Sequence, residues 1–325
     1  MNFKVFVTRT IPDSGLSILK EKTDVIVNQL NYSLTKEMLI NSIRDVQGLV
    51  CLLTDSIDKD VIEAGKELKI ISNYAVGYDN IDVSEATKRG IMVTNTPGVL
   101  TDTTADLTWA LIFSIARRIV EADKFVREGK FNGWDPMLFL GSDISKSVLG
   151  IIGFGRIGRA VAERAKGFSM TVLYSDTNRM KQDAEEELGV EYKPMKELLA
   201  LSDFITLHIP LNRSTYHLIG QNELKIMKKE AYLINTARGP LVDENALIHA
   251  LKNNWIAGAA LDVFENEPAL SPELSNLKNV VMVPHIGSAS FKTRNAMALS
   301  VANNILAVLK GELPPNLINK EISLS

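Results

Sequence analysis

The chain has 325 residues, of which 46% are hydrophobic and 23% are charged, and its formal net charge is −3. This composition is typical of an ordinary globular protein, and a chain that exceeds the size at which one hydrophobic core keeps growing is expected to form two domains. No block of basic residues stands out and no apolar run approaches the length of a membrane span, so neither a nucleic acid nor a membrane is an expected partner.

The single cysteine and the first residues of the chain bear on its location. Cys51 can form no intramolecular disulfide and lies in the apolar run GLVCLL, so we expect a buried structural thiol rather than a nucleophile. The N-terminal sequence MNFKVFVTRT alternates as a strand does and lacks the long apolar core and the cleavage site of a secretory signal. These features favour a cytoplasmic protein.

Strand and helix patterns alternate from the first residues onward. Short apolar runs at 3–8, 25–28, 48–53, 69–73 and 91–95 predict strands, and helical patterns separate them, as at 35–43 and 83–89. This alternation indicates a small α/β unit with a parallel sheet. Proline and glycine close the unit at 95–98, and one long helix is then predicted over 101–127.

The alternation resumes in the second half of the chain. Strands are predicted at 147–149, 171–175, 204–207, 231–235, 257–263 and 280–283, and a last helix at 291–309 ends before Gly311 and two prolines. We therefore predict an α/β fold with two doubly wound parallel-sheet domains. A Rossmann cofactor domain at 99–286 is inserted in a flavodoxin-like substrate domain formed by 1–98 and 287–325.

The segment GIIGFGRIGR at 150–159 follows a predicted strand and opens a predicted helix at about 156–166. Its glycines fit G-x-G-x-x-G, in which the first permits a tight turn, the second lets backbone approach a pyrophosphate and the third lets the helix pack on the strand. The amides and the positive dipole end of the helix would face the phosphates. The sequence thus predicts a dinucleotide loop made of Gly153, Phe154, Gly155, Arg156, Ile157 and Gly158.

An acidic residue favours this interpretation over the alternative, a glycine-rich loop without a ligand. Asp176 ends the next predicted strand, where a carboxylate can accept hydrogen bonds from the adenosine ribose and would repel a 2′-phosphate. Arg179, three residues on, opposes that preference because it could swing toward such a phosphate, but we expect it to lie in a mobile loop. Asp176 stands closer to the expected ribose, so the predicted cofactor is NAD, with NADH preferred over NADPH.

Polar residues follow several predicted strands, at the sheet edge where ligands bind in parallel folds. They are His208, Arg238, Asp262 and His285, with Glu267 in the loop FENEP. Reduction of a carbonyl by a nicotinamide also requires a proton, and an imidazolium is its natural donor. His285 is the candidate acid, Glu267 would stabilise its charged form, and Arg238 would grip a carboxylate and polarise the adjacent carbonyl. Together these residues predict a 2-oxo acid reductase.

Each of these residues also fits a structural role when taken alone. Arg238 fits a salt bridge, Glu267 a solvated loop and His285 a hydrogen-bonded turn. The other two histidines, His217 and His249, fall in patterns that predict helices and surface positions. No pair of histidines or cysteines has the spacing of metal ligands, so we expect no metal.

Six ordered motifs give the chain a resemblance to a known family. They are VGYDNID at 76–82, NTPGVLTDTTAD at 95–106, GIIGFGRIGRAVA at 150–162, NTARGPLVDE at 235–244, GAALDVFENEP at 258–268 and PHIGSAS at 284–290. Over essentially its whole length the chain resembles the D-isomer-specific 2-hydroxyacid dehydrogenases, and within them the glyoxylate/hydroxypyruvate reductases. CLLTD at 51–55 and WDPMLFLG at 134–141 are similar to segments of that branch.

The resemblance implies residue roles and an assembly. It implies that Arg238 binds substrate, that Glu267 and His285 form the acid–base pair, and that the amides of Val76 and Gly77 hold the substrate carboxylate. It also implies a homodimer joined through the cofactor domain, with the helix that begins at 101 and the loop around 134 near the interface. Further cofactor contacts are implied for Thr104, Pro210, Thr236, Ala237, Asp262 and Gly287.

Two classes of function stay open at this point. The first is an enzyme that reduces glyoxylate to glycolate or hydroxypyruvate to D-glycerate, or else a larger 2-oxo acid such as 2-ketogluconate. The second is a non-catalytic NAD-sensing interaction protein, similar to the transcriptional co-repressors of the family. Some animal members carry a tryptophan in the loop where this chain has Leu138 and Phe139, so the sequence leaves the preferred substrate open.

Overall fold

The computed structural model describes residues 3–30 and 32–322. In this part of the chain the structure forms two compact units, one that runs to Leu100 and resumes at Ser288, and one that spans Thr101–Gly287. Each unit is an α/β fold built on a parallel sheet. The fold class predicted from the sequence is thus confirmed.

The first unit is built on a parallel sheet whose strands, among the described residues, are β1 (Lys4–Val7), β2 (Asp24–Val27), β3 (Gly48–Cys51), β4 (Ile70–Asn73) and β5 (Met92–Thr94). The strands lie in the order β2-β1-β3-β4-β5. Successive side chains point to opposite faces, so Val5 and Val7 join one apolar cluster while Phe6 joins the other. Each of these strands overlaps a predicted apolar run, although β2 begins and ends one residue earlier than predicted.

Helices cover both faces of this sheet: α1 (Asp13–Lys22), α2 (Lys36–Ser42), α3 (Lys59–Ala64) and α4 (Val83–Lys88). Side chains of α1 lie in the cluster with Val5, and those of α2, α3 and α4 lie in the cluster with Phe6. Thr35, Asp58 and Asp82 each begin a helix by accepting a hydrogen bond from a backbone N–H of its first turn. The connections are therefore fixed locally by the sequence.

The second unit has a larger parallel sheet, with the described strands β6 (Val148–Ile152), β7 (Thr171–Ser175), β8 (Val190–Tyr192), β9 (Phe204–Leu207), β10 (Tyr232–Asn235), β11 (Gly258–Leu261) and β12 (Val280–Met282). Their order is β12-β11-β10-β9-β6-β7-β8. The chain builds outward from β6 through β7 and β8, and then continues on the other side of β6 with β9. Ligands bind at such a reversal of strand order, beyond the carboxyl ends of the strands.

Helices also cover both faces of the second sheet, with two apolar clusters beneath them. The two longest helices carry the features that position the site, because α5 packs on β10, β11 and β12 and α7 starts at the glycine loop. The described helices are α5 (Thr101–Ala116), α6 (Ile119–Arg127), α7 (Arg156–Ala165), α8 (Gln182–Leu188), α9 (Met195–Leu201), α10 (Gln221–Ile226), α11 (Glu244–Lys252) and α12 (Pro272–Ser275).

The prediction of a single helix over 101–127 is wrong. The chain forms α5 and α6 instead, with a break at Arg118, whose φ is 53°. A left-handed residue cannot continue a right-handed helix. The Arg118 guanidinium donates a 2.6 Å hydrogen bond to Glu121 in the first turn of α6 and lies 5.1 Å from the ring centre of Phe139, contacts that stabilise the bend.

The last helix, α13 (Phe291–Leu309), is confirmed with the predicted bounds. It packs on α1, where a β-carbon on Gly15 would overlap the carbonyl oxygen of Ala298. Cys51 is buried as predicted, and burial raises the pKa of its thiol well above the ordinary value. Across the described residues, no helix combines the length and the apolar character that a membrane crossing requires.

Candidate active site

The loop between β6 and α7 carries the glycine fingerprint. Gly153 has a φ of 93°, and a β-carbon there would lie 2.6 Å from the carbonyl oxygen of His208 at the end of β9. A β-carbon on Gly158 would overlap the carbonyl oxygen of Gly153, so the first turn of α7 packs directly on the loop. A β-carbon on Gly155 would meet no described atom within 4 Å beyond its chain neighbours. Close packing thus requires glycine at two of the three positions, and the third leaves open space beside the backbone. Such space allows a phosphate to approach the backbone amides.

Asp176 directly follows β7 and connects it to the glycine loop. Its Oδ2 accepts the N–H of Phe154 at 2.7 Å, and its Oδ1 accepts the N–H of Asn178 at 2.9 Å. The Phe154 ring in turn packs on Tyr174, with ring centres 4.3 Å apart. Since a carboxylate has about four acceptor positions, Asp176 retains capacity for the hydroxyls of a ribose.

His285 and Glu267 form a hydrogen-bonded pair. The His285 Nδ1 lies 2.8 Å from Glu267 Oε2, and the other carboxylate oxygen, Oε1, accepts the N–H of Phe264 at 2.9 Å. Because an ionised carboxylate only accepts hydrogen bonds, Nδ1 carries the hydrogen and Nε2 is the ring nitrogen left for other partners. The side chains are 23% and 28% exposed, so the pair lies at the protein surface without being fully solvated.

The turn after β12 holds His285 in an uncommon conformation, with a φ of 53°. Asp262, which follows β11, stabilises this turn through its carboxylate. Oδ1 accepts the N–H of Ile286 at 2.6 Å and Oδ2 accepts the N–H of Gly287 at 2.8 Å. The N–H of His285 donates to the backbone carbonyl of Asp262 at 2.8 Å. Three hydrogen bonds to one residue therefore fix the direction of the imidazole.

Arg238 lies in the turn after β10. The side chain of Asn235 stabilises this turn, since its Nδ2 donates to the carbonyl of Arg238 at 2.8 Å and its Oδ1 accepts the N–H of Ala237 at 3.0 Å. Gly239 then brings the turn against the loop that carries Glu267, because a β-carbon at Gly239 would overlap the carbonyl of Phe264. The structure thus places the predicted arginine and the predicted carboxylate on two loops in direct contact.

Electrostatics join these residues into one cluster. Partial burial alone would raise the pKa of Glu267, but the hydrogen bond and charge of His285, the amide of Phe264 and the charge of Arg238 together hold that pKa below its ordinary value. Glu267 is therefore ionised at neutral pH. Burial raises the pKa of Asp262 to about 6, against the opposing effects of two backbone amides and of the nearby His285 charge.

The other residues predicted to contact a cofactor also belong to the second unit. Thr104 in α5 donates its hydroxyl to the carbonyl of Gly287 at 3.1 Å, and Thr236 is buried with its Oγ1 3.0 Å from that of Thr108. Pro210 is exposed after β9, where its carbonyl accepts the Thr215 hydroxyl at 2.8 Å. These positions follow strand ends or lie on the helix packed against them.

The remaining histidines do not join the pair. Burial lowers the pKa of His208 to about 3, and its Nε2 has no hydrogen-bond partner among the described residues, so it stays neutral. His249 is exposed on α11, as predicted. The prediction of a helix around His217 is wrong. Backbone hydrogen bonds join residues 217–219 to residues 240–242, and His217 lies in a turn. Its Nε2 is 2.8 Å from Glu265 Oε1. Among the residues that the structure describes, no group of three or more His, Cys, Asp or Glu could hold a metal ion.

Val76 and Gly77 lie in the first unit, in the turn after β4, whereas Arg238 and its neighbours lie in the second. Asn95 Nδ2 donates to the Val76 carbonyl at 2.7 Å, and Asn73 Nδ2 donates to the Gly77 carbonyl at 2.8 Å. Two side-chain amides thus fix the peptide planes of this turn.

Sequence reasoning missed two residues that shape the site. Asn235 is the buried residue that holds the Arg238 turn, and the available signal is an amide at the end of an otherwise apolar strand. Glu265 binds His217 with one carboxylate oxygen and accepts the N–H of Glu244 at 3.1 Å with the other. It anchors the loop that carries Glu267, and its sequence context, FENEP, gives no reason to choose it over its acidic neighbour.

The chain is similar to known proteins over its whole length. The sequence profile described as "D-isomer specific 2-hydroxyacid dehydrogenase, NAD binding domain" matches residues 109–287. A glyoxylate reductase of Thermococcus litoralis is 54% identical over 329 residues, which cover 100% of this chain and 99% of that protein.

Solved structures give the same result. The crystal structure of a protein from Thermus thermophilus has a TM-score of 0.91 at 43% identity and covers 97% of this chain and 100% of that chain. That of an NADPH-dependent glyoxylate/hydroxypyruvate reductase from Sinorhizobium meliloti, in complex with NADP and malonate, has a TM-score of 0.90 at 31% identity, with 100% and 99% covered. The profile spans the whole second sheet and the relatives match both units. The chain belongs to the D-isomer specific 2-hydroxyacid dehydrogenase family.

Proposed function

We propose that this chain uses NADH to reduce a small 2-oxo acid to its D-2-hydroxy acid, with glyoxylate to glycolate and hydroxypyruvate to D-glycerate as its reactions. The observation that carries the proposal is the 2.8 Å hydrogen bond between His285 and Glu267, with the Arg238 charge acting on the same carboxylate. The substrate is chosen from the Thermococcus litoralis relative, a glyoxylate reductase at 54% identity over the whole chain. A cytoplasmic location stays a prediction from the sequence.

In the proposed reaction His285 is the acid. Since Glu267 binds the Nδ1 hydrogen, Nε2 is the nitrogen that gives a proton to the substrate oxygen. Ionised Glu267 stabilises the imidazolium before the proton leaves and keeps the ring in one tautomer and orientation afterwards. Arg238 binds the substrate carboxylate through two hydrogen bonds from its planar guanidinium and polarises the adjacent carbonyl. Val76 and Gly77 keep the carboxylate-binding role that the resemblance implies.

The second unit is proposed as the NAD-binding domain and the first as the substrate domain. The glycine loop fits a dinucleotide for two reasons. Neighbouring backbone leaves no room for a side chain at Gly153 or Gly158, and the space beside Gly155 is open to an incoming phosphate. When bound, NADH supplies the hydride for the carbonyl carbon. The residues that would hold it are Thr104, Gly153, Phe154, Gly155, Arg156, Ile157, Gly158, Asp176, Pro210, Thr236, Ala237, Asp262 and Gly287.

We also propose a homodimer formed through the second unit. None of the residues of the fully described helix α6 is buried, although it carries Ile119, Val120 and Val126. The loop after it exposes further large apolar side chains, and Trp134 is 85% exposed. Many large apolar side chains exposed along one segment are typical of a protein interface. The patch comprises Ile119, Val120, Val126, Phe131, Trp134, Met137, Leu138 and Leu140.

The wild-type protein is expected to oxidise NADH with glyoxylate or hydroxypyruvate, and His285→Gln to lower kcat by about 10²–10⁴-fold because one general acid is removed. Steady-state kinetics with these acids and with 2-ketogluconate measures this. Glu267→Gln should shift the fall in rate with rising pH to lower pH, since the imidazolium loses the ionised carboxylate that stabilises it.

His249→Gln is the control for these variants, because His249 is exposed on α11. It should leave both turnover and pH profile unchanged. Near-normal turnover of His285→Gln would remove that residue from the mechanism, and NADH binding without oxidation by any of the acids would favour the non-catalytic NAD sensor.

Arg238→Lys is expected to raise KM and lower kcat with glyoxylate, although the positive charge is kept. The ammonium group of lysine cannot form the two parallel hydrogen bonds that a planar guanidinium makes with a carboxylate. The substrate carbonyl therefore loses the orientation that those bonds give it. Arg44→Lys, at an exposed position of the first unit, is the matched control. Unchanged kinetics of Arg238→Lys would contradict the assignment.

Asp176 is expected to give NADH a higher kcat/KM than NADPH, because its carboxylate and a 2′-phosphate would repel each other in a partly buried site. Asp176→Ala should reduce this discrimination by about fivefold or more. Asp183→Ala removes an exposed carboxylate from α8 and serves as the control. A wild-type preference for NADPH, as the relative from Sinorhizobium meliloti has by name, would overturn the assignment.

The dimer is tested by light scattering after size-exclusion chromatography. The wild type should have twice the 35.9 kDa mass of the chain, and Trp134→Glu combined with Val126→Glu should shift it toward the monomer, since like charges in an apolar interface repel each other and have no partner. Phe291→Ser, which changes a 94% exposed aromatic of the first unit, should stay dimeric. A monomeric wild type at micromolar concentration would contradict the proposal.

A further inference from the structure

Arg179, which could in principle bind a 2′-phosphate, is held by an ion pair. It lies between β7 and α8, three residues beyond Asp176 in the sequence. Its Nε donates to Glu185 Oε1 and its Nη2 donates to Glu185 Oε2, each at 3.0 Å. Such two-point pairing of a guanidinium with a carboxylate fixes the direction of the arginine. Arg179 thus lies in a loop, as predicted, with its side chain paired to Glu185.

Glu185 is fixed in turn by buried groups. Its side chain is only 8% exposed, whereas that of Arg179 is 59% exposed. The hydroxyl of Tyr174, a fully buried residue of β7, donates to Glu185 Oε1 at 2.6 Å and accepts the N–H of Met180 at 2.9 Å. The hydrogen bonds from Arg179 and Tyr174 hold the pKa of Glu185 below its ordinary value, so it is ionised at neutral pH. A carboxylate this buried needs a cation, and Arg179 supplies it.

The ion pair holds the guanidinium of Arg179 beside α8 and the edge strand β8. Arg179 and Glu185 line a surface depression together with Thr171 and Val172, the first residues of β7. Asp176 follows the opposite, carboxyl end of the same strand, where the glycine loop lies. The guanidinium also lies 5.1 Å from the ring centre of Tyr192 in the edge strand β8, a cation–π distance.

We propose that Glu185 is a specificity-determining residue, which holds Arg179 in a two-point ion pair and so keeps this cation from the 2′-phosphate of NADPH. The inference rests on the proposed NAD-dependent reductase and deepens its cofactor preference. Discrimination then has two independent parts. Asp176 repels the 2′-phosphate, and Glu185 keeps Arg179 from attracting it.

The test measures binding of 5′-AMP and 2′,5′-ADP, which carry the adenosine ribose without and with the 2′-phosphate, by isothermal titration calorimetry and without any turnover. Glu185→Gln keeps the side-chain volume and removes the charge that holds Arg179. It should bind 2′,5′-ADP about five- to tenfold more tightly than the wild type, as a released arginine adds a charge-assisted contact, and 5′-AMP with unchanged affinity. Glu187→Gln removes an exposed carboxylate from the same helix and should change neither affinity.

Arg179 supplies the second arm of the test. Arg179→Gln in the wild-type background should leave 2′,5′-ADP binding unchanged, because that arginine is already withheld, whereas the same change in Glu185→Gln should abolish the gain. A loss of 2′,5′-ADP affinity in Arg179→Gln alone would show that Arg179 already reaches the phosphate and would overturn the proposal, even if Glu185→Gln did not fold.

The outcomes separate this inference from the function on which it rests. If the wild type binds 5′-AMP but Glu185→Gln, folded by circular dichroism, binds 2′,5′-ADP no more tightly, the role of Glu185 is refuted and the cofactor site stands. If the wild type binds neither nucleotide, the assignment of the glycine loop fails and the role of Glu185 fails with it.

Discussion

The buried carboxylate of Asp262 is the constraint on which the position of the His285–Glu267 pair depends. Both of its oxygens accept backbone N–H bonds from the turn after β12, and its own carbonyl accepts the N–H of His285. If the turn relaxed, a buried carboxylate would lose its hydrogen-bond partners, which is among the more costly changes a protein interior can undergo. The turn therefore keeps His285 at a positive φ with its Nδ1 directed at Glu267. Backbone geometry, set by one side chain, decides where the imidazole points.

The same arrangement recurs along the carboxyl edge of the second sheet. Asn235 fixes the turn of Arg238 by bonding its backbone on both sides, and Asp176 fixes the glycine loop through the amide of Phe154. In each case a polar side chain at the end of a strand satisfies amides or carbonyls of the next loop. Loops of this kind can hold reacting groups in place because their backbone groups have partners within the fold.

Local pattern predicted most of the fold because apolar runs bounded by polar residues coincide with buried parallel strands, and the last helix was bounded by clear stop signals. The break at Arg118 could not be predicted, since its sequence continues the helical pattern and only tertiary contacts favour a left-handed residue there. The edge strand β8 has three residues, too few for a periodic signal. In the site, polar residues after strands identified His285 and Glu267, whereas the pairing of Arg179 with Glu185 depends on a buried tyrosine hydroxyl that no local pattern reveals.

We infer that Glu267 fixes the hydrogen on Nδ1 of His285 and leaves Nε2 to act as the proton donor. Nitrogen-15 NMR of histidine-labelled protein tests it directly, with the signals of His285 assigned by comparison with His285→Gln. In the neutral ring we expect a protonated Nδ1 with a downfield hydrogen and an unprotonated Nε2, and loss of that downfield signal in Glu267→Gln. A neutral ring protonated on Nε2 in the wild type would contradict the account.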